Sequence, residues 1–119
     1  QRRREIAQYF CSKIKNKKII LPIDNSSLNI KDYRGHVWHL FVIRTTERNR
    51  LQKYVEDNGI QTVIHYPVPP HKQPAYKEWN HLSFPITEKI HNEVLSLPIG
   101  SHLSDMDIEF ISEKLNAYV

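Results

Sequence analysis

The segment Ile60 to Tyr76, IQTVIHYPVPPHKQPAY, sets the strongest limit on what this chain can fold into. It carries four prolines, Pro67, Pro69, Pro70 and Pro74. Each fixes φ at about −65° and removes a backbone donor, so neither a helix interior nor a central strand can pass through. The stretch is therefore expected to break into three pieces. Gln61 to His65 reads as a strand that Pro67 ends. Pro69-Pro70 makes a stiff extended corner, and Pro74 opens a short helix to about Trp79. The rest of the chain has to be arranged around this corner.

Upstream, Ile6, Phe10 and Ile14 recur at spacings of four with Cys11 beside them, which predicts a helix over about 2–16. Lys17 to Ile23 turns apolar, and 24–34 reads as loop. HVWHLFVIR, 36–44, is the clearest strand, apolar on both alternation sets and so expected to be covered on both sides. Thr45 or Thr46 is expected to cap a helix through about Asn58, with Leu51, Tyr54 and Val55 inward and Asn58-Gly59 as its stop. Beyond the corner, Thr87 is expected to cap another helix with Ile90 and Val94 inward. Leu95 to Ile99 reads as a third strand. Ser104-Asp-Met-Asp107 has the pattern of a capping box, opening a last helix with Ile108, Ile111 and Leu115 inward. The fold class is α+β: a small sheet of about three strands packed with helices, in a single domain over 1–119.

Composition narrows the functions. The net charge is +4, but residues 1–18 alone hold seven Lys or Arg and one Glu. Such an end can meet phosphate-rich partners or can be a solvated helix face. Nucleic acid is not expected, because the basic cluster is helical and its aromatics, Tyr9 and Phe10, read as packing residues. No apolar run of about 18 residues suggests a membrane span. QRRREI leads into no apolar signal region, so a cytoplasmic protein is expected. The single cysteine, Cys11, excludes an internal disulfide framework and is read as core packing rather than as a nucleophile.

No metal site is expected. His36 and His39 on one strand would point to opposite faces, His65 and His71 are separated by a proline-stiffened turn, and no HExxH occurs. No GxSxG or glycine-rich phosphate loop is present, and the S-x-x-K spacing of Ser12 and Lys15 lies on a basic surface helix. His65, Tyr66 and His71 stand apart from this. Groups that titrate or donate at the end of a strand are where sites are often built. The alternative is a rigid corner in which Tyr66 and His71 merely bond the backbone.

RRREIAQYF, VWHLFVIR, NGIQTVIHYPVPPHKQPAY and LSLPIGSHLSDMDIEFI occur here in an order that resembles one family. Nearly the whole chain is similar to the C-terminal small domain of the DegT/DnrJ/EryC1/StrS aminotransferases, fold-type I enzymes that use pyridoxal phosphate. The look is that of members making 3-amino-3,6-dideoxy sugars on dTDP. The resemblance implies a full-length parent that moves an amino group from glutamate to a nucleotide-linked keto-sugar. The setting it implies is surface-polysaccharide or lipopolysaccharide synthesis, with the parent working as a homodimer. It implies that the prolines fix a wall of the sugar pocket and that His65, Tyr66 and His71 are substrate-binding. The family's large domain, with its cofactor-binding lysine, its acid for the pyridine nitrogen and most of its phosphate cup, has no counterpart in these 119 residues. No catalytic residue is therefore expected in this chain, nor stable binding of pyridoxal phosphate by it alone. The second reading is a non-catalytic module that binds a partner through the basic helix or the same wall.

Overall fold

The computed structural model describes residues 1–23, 33 and 35–119. The elements are α1 (Arg2–Lys13), β1 (Phe41–Arg44), α2 (Arg48–Asp57), two 3-10 segments (Pro70–Lys72 and Pro74–Trp79), α3 (Pro85–Glu93), β2 (Val94–Leu97) and α4 (Asp105–Ala117). β1 and β2 pair antiparallel, with Phe41 opposite Leu97 and Ile43 opposite Leu95. Single bridges extend this ribbon on both sides, Ile20 to Arg44 and Val63 to Ser96.

The sheet is thus smaller than expected. The expected strand over 61–65 contracts to the Val63 bridge, where the backbone exchanges two hydrogen bonds with Ser96. The expected strand over 36–44 survives only as β1. Trp38 lies at φ 55°, in the left-handed region, and its N–H is taken by Nδ1 of His36 at 2.9 Å. That conformation is unfavourable for a bulky residue. It puts the indole, 1% exposed, against Phe41 and beneath His36. β1 buries Phe41 and Ile43 completely, while Val42 on the other face is only half-buried. The expected loop at 24–34 falls largely outside the described residues.

The core joins the α1 stripe (Ile6, Phe10, Cys11, Ile14) to Leu51 and Val55 of α2, Leu95 and Leu97 of β2, and Ile108, Ile111 and Leu115 of α4. Phe10 meets Phe41 edge to face at 5.2 Å. Burial pushes the Cys11 thiol up to about 11, which makes it a packing group at neutral pH. α1 stops at Lys13 rather than near 16, because Ile14 turns to ψ 118° while keeping its side chain buried. Two asparagines then lock α1 to α4. Asn116 donates to the Lys13 carbonyl at 2.9 Å and accepts from the Lys15 N–H at 2.7 Å. Asn16 donates to the carbonyls of Leu115 and Tyr118 at 2.9 and 2.8 Å. Each amide satisfies carbonyls that a helix end leaves free.

The helix starts divide. Ser104 and Asp107 form the expected capping box. α2 begins at Arg48 after Glu47, with no side-chain cap, and Thr45 instead accepts the Glu47 N–H at 3.2 Å. α3 begins at Pro85 after Phe84, which leaves Thr87 inside the first turn. Gly59 takes φ 79° at the end of α2, as the Asn-Gly pair suggests.

Candidate functional site

Beyond the Val63 bridge the chain leaves the sheet, and His65 and Tyr66 follow, joined by a cis peptide bond. The His65 ring is tethered back to β2, with Nδ1 and the Ser96 hydroxyl 2.9 Å apart. Tyr66 is tethered by its backbone: its carbonyl accepts from Nδ1 of His91 on α3 at 2.6 Å. The Tyr66 ring stands edge-on to His65 at 5.6 Å and is 66% exposed. Among the described residues its hydroxyl has no partner. Such a phenol can donate to and accept from a ligand.

His71 sits on the first 3-10 segment and is 4% exposed. Its Nε2 lies 2.8 Å from Oε1 of Glu88, the same oxygen that accepts the Phe84 N–H at 3.0 Å. These two hydrogen bonds, the His71 one foremost, hold the Glu88 carboxyl below the usual carboxylate range. The Phe84 ring meets the His71 ring edge-on at 4.9 Å. Asn80 bonds the His71 and Tyr76 carbonyls, and Lys72 bonds those of Asn80 and Leu82. The corner is therefore closed by its own side chains. Tyr76 and Trp79 stack nearly parallel at 4.9 Å on its exposed side.

α3 supports this corner and is itself tied down. Arg44 reaches Oε2 of Glu93 with Nη2 at 2.7 Å and Nε at 3.1 Å, and the Glu93 side chain is only 7% exposed. Arg48 donates to the His91 carbonyl at 2.8 Å. Of the residues read from sequence, the structure thus brings the His65 and Tyr66 rings together, while His71 is buried further along the corner against Glu88 and Phe84. Sequence reasoning missed Glu88, His91 and Ser96. The i, i+3 spacing of Glu88 and His91 on a helix predicted from the pattern was an available signal, since such residues share a face.

His36 and His39 are occupied differently from the strand picture. His36 serves the Trp38 N–H, and Nδ1 of His39 faces Nη1 of Arg3 at 3.3 Å. Among the described residues no three His, Cys, Asp or Glu side chains gather as metal ligands. No described helix is long and apolar enough to cross a membrane.

Pyridoxal phosphate needs an amine to hold it, an acid facing its ring nitrogen and donors around its phosphate. The set His65, Tyr66, Ser96 and His91 has neither amine nor carboxylate. On α3, Lys89 faces Glu93 at 3.9 Å, and Lys72 is spent on backbone carbonyls. These residues do not fit the group as a cradle. They offer one wall, with an imidazole and a phenol suited to hydroxyl-rich ligands.

The family model of the DegT/DnrJ/EryC1/StrS aminotransferase family matches residues 1–116. The chain is 52% identical over 118 residues to dTDP-3-amino-3,6-dideoxy-alpha-D-galactopyranose transaminase of Aneurinibacillus thermoaerophilus, covering 99% of this chain and 31% of the relative. Among solved structures it resembles S. venezuelae DesV in complex with a ketimine intermediate, with TM-score 0.83 and 34% identity over 97% of this chain and 30% of that one. It also resembles NtdA from Bacillus subtilis with bound cofactor PMP, with TM-score 0.78 and 29% identity over 96% of this chain and 27% of that one. The chain therefore spans about a third of the length of the proteins it matches.

Proposed function

This chain belongs to the DegT/DnrJ/EryC1/StrS aminotransferase family, and from that membership we propose that it is the C-terminal small domain of a pyridoxal-phosphate-dependent nucleotide-sugar aminotransferase. The whole protein would pass an amino group from glutamate to a dTDP-linked 3-keto sugar, in the cytoplasm and on a route to surface polysaccharide. The observation that carries this is the 52% identity over 118 residues to a transaminase named for a dTDP-linked 3-amino-3,6-dideoxy sugar.

The cofactor would supply the electron sink and would be held by parts of the protein outside these residues. This domain would supply a pocket wall. With Nδ1 of His65 engaged by Ser96, Nε2 is the ring nitrogen left to meet a sugar hydroxyl. The Tyr66 hydroxyl would offer a second hydrogen bond, and the corner that His71 holds would shape the wall and exclude water.

The test is to express the full-length polypeptide carrying this domain and supply glutamate, pyridoxal phosphate and dTDP-3-keto-6-deoxyhexoses. Glutamate-dependent formation of the dTDP-amino sugar is expected. Failure to aminate any nucleotide-linked keto-sugar would overturn the reading.

A further inference from the structure

We propose that His91 is a positioning residue that sets the aim of the Tyr66 hydroxyl, a role that rests on the sugar-aminotransferase reading above. The Tyr66 carbonyl can only accept, so Nδ1 of His91, 2.6 Å away, carries the proton. The contact thus selects the Nδ1–H tautomer of the neutral ring. The ring rides on a helix that has little freedom. The Arg44–Glu93 pair ties the end of α3 to β1, and Arg48 ties the His91 carbonyl to α2.

One turn earlier on α3, Glu88 holds His71. Glu88 and His91 share a face by their i, i+3 spacing. They take hold of the proline corner at both ends, His91 at Tyr66 before it and Glu88 at His71 after it. Ser96 fixes His65 from β2. The exposed phenol therefore projects from a backbone set by three side chains. His71 is itself buried, packs against the Phe84 ring and is bonded by Glu88, whereas His91 is only half-buried and its ring is bonded to Tyr66. Its removal should disturb the aim of Tyr66 more than the fold.

Two measurements test this. The first uses the 119-residue chain itself and reads the His91 tautomer from long-range proton–nitrogen NMR correlations, at a pH where the ring is neutral. Nδ1–H is expected, and Nε2–H would overturn the contact. The second uses the full-length enzyme. His91→Ala is expected to lower kcat several-fold at an unchanged thermal midpoint. His91→Asn, whose amide nitrogen sits close to where Nδ1 does, is expected to restore most of it. In a Tyr66→Phe background, His91→Ala should cost little more. Full and independent losses in both backgrounds, or no rescue by Asn, would overturn the positioning role. A full-length protein inactive on every keto-sugar would instead overturn the aminotransferase reading and the positioning role with it, and the tautomer would still decide the contact.

Discussion

At Tyr66, exposure separates chemistry from stability. The ring is largely solvent-facing and its hydroxyl has no partner among the described residues, so Tyr66→Phe removes nothing the fold uses. The thermal midpoint should move by no more than about 0.5 kcal/mol of stability. Turnover of the full-length enzyme should fall several-fold, matching one hydrogen bond of about 1 kcal/mol. Steady-state kinetics and calorimetry on the same preparation check both. Glu88 responds to pH instead. Its carboxyl is held below the ordinary range by His71 and the Phe84 N–H, so the folded state binds its proton less readily than the unfolded chain. That contribution is fully present above an ordinary glutamate value of about 4.3 and is lost as pH falls through the lower folded value. The gap in midpoint between the parent chain and Glu88→Gln should therefore narrow on acidification below about pH 4.3. A gap that stayed constant through the acid range would show that the hydrogen bonds do not favour the ionised carboxyl.

Among the elements, α4 is the one the sequence describes best. Its cap is local: Ser104 and Asp107 satisfy each other's backbone groups, and Ser104→Ala should cost about 1 kcal/mol, read as a lowered urea midpoint with an unchanged slope. The inward stripe Ile108, Ile111 and Leu115 was equally legible because helical periodicity needs no knowledge of the partner. β1 was half legible. Its four residues carry the alternation, but the run from His36 is cut by Trp38, whose left-handed backbone goes with an indole packed into a non-local core. The caps of α2 and α3 were misplaced because any Thr near a helix start looks like a cap, while Glu47 and Phe84 hold those positions. In the site, His65 and Tyr66 stand out beside prolines in the sequence itself. Ser96, Glu88 and His91 acquire meaning only once β2 lies against Val63 and α3 lies against the corner.

For the whole molecule, residues 63–90 hold eight of the thirteen large apolar side chains exposed among the described residues, the others being Ile20, Val37, Met106, Phe110 and Val119. Tyr66, Val68, Tyr76, Trp79, Phe84, Ile86 and Ile90 all keep more than a third of their surface in water. The 119-residue chain on its own should bind a hydrophobic dye and self-associate as concentration rises, measured by fluorescence and light scattering. A monomer that ignores the dye at high concentration would count against this. Mixed with pyridoxal phosphate and reduced with borohydride, the same chain should show diffuse lysine labelling by mass spectrometry and no single stoichiometric adduct, since its exposed polar set lacks a cradle. The Asn16–Asn116 lock carries a consequence for how the molecule comes into being. The contacts that seat α1 span about a hundred residues, with Lys15 and Asn116 separated by 101. Closing so long a loop is slow, and it cannot begin before its far end exists. Among the described helices α1 is made first, and it must therefore wait longest for its partner. Its apolar face, Ile6, Phe10 and Ile14, stays without its α4 partner until the last turn of that helix has been made, so the period of greatest exposure to chaperones and proteases falls during synthesis.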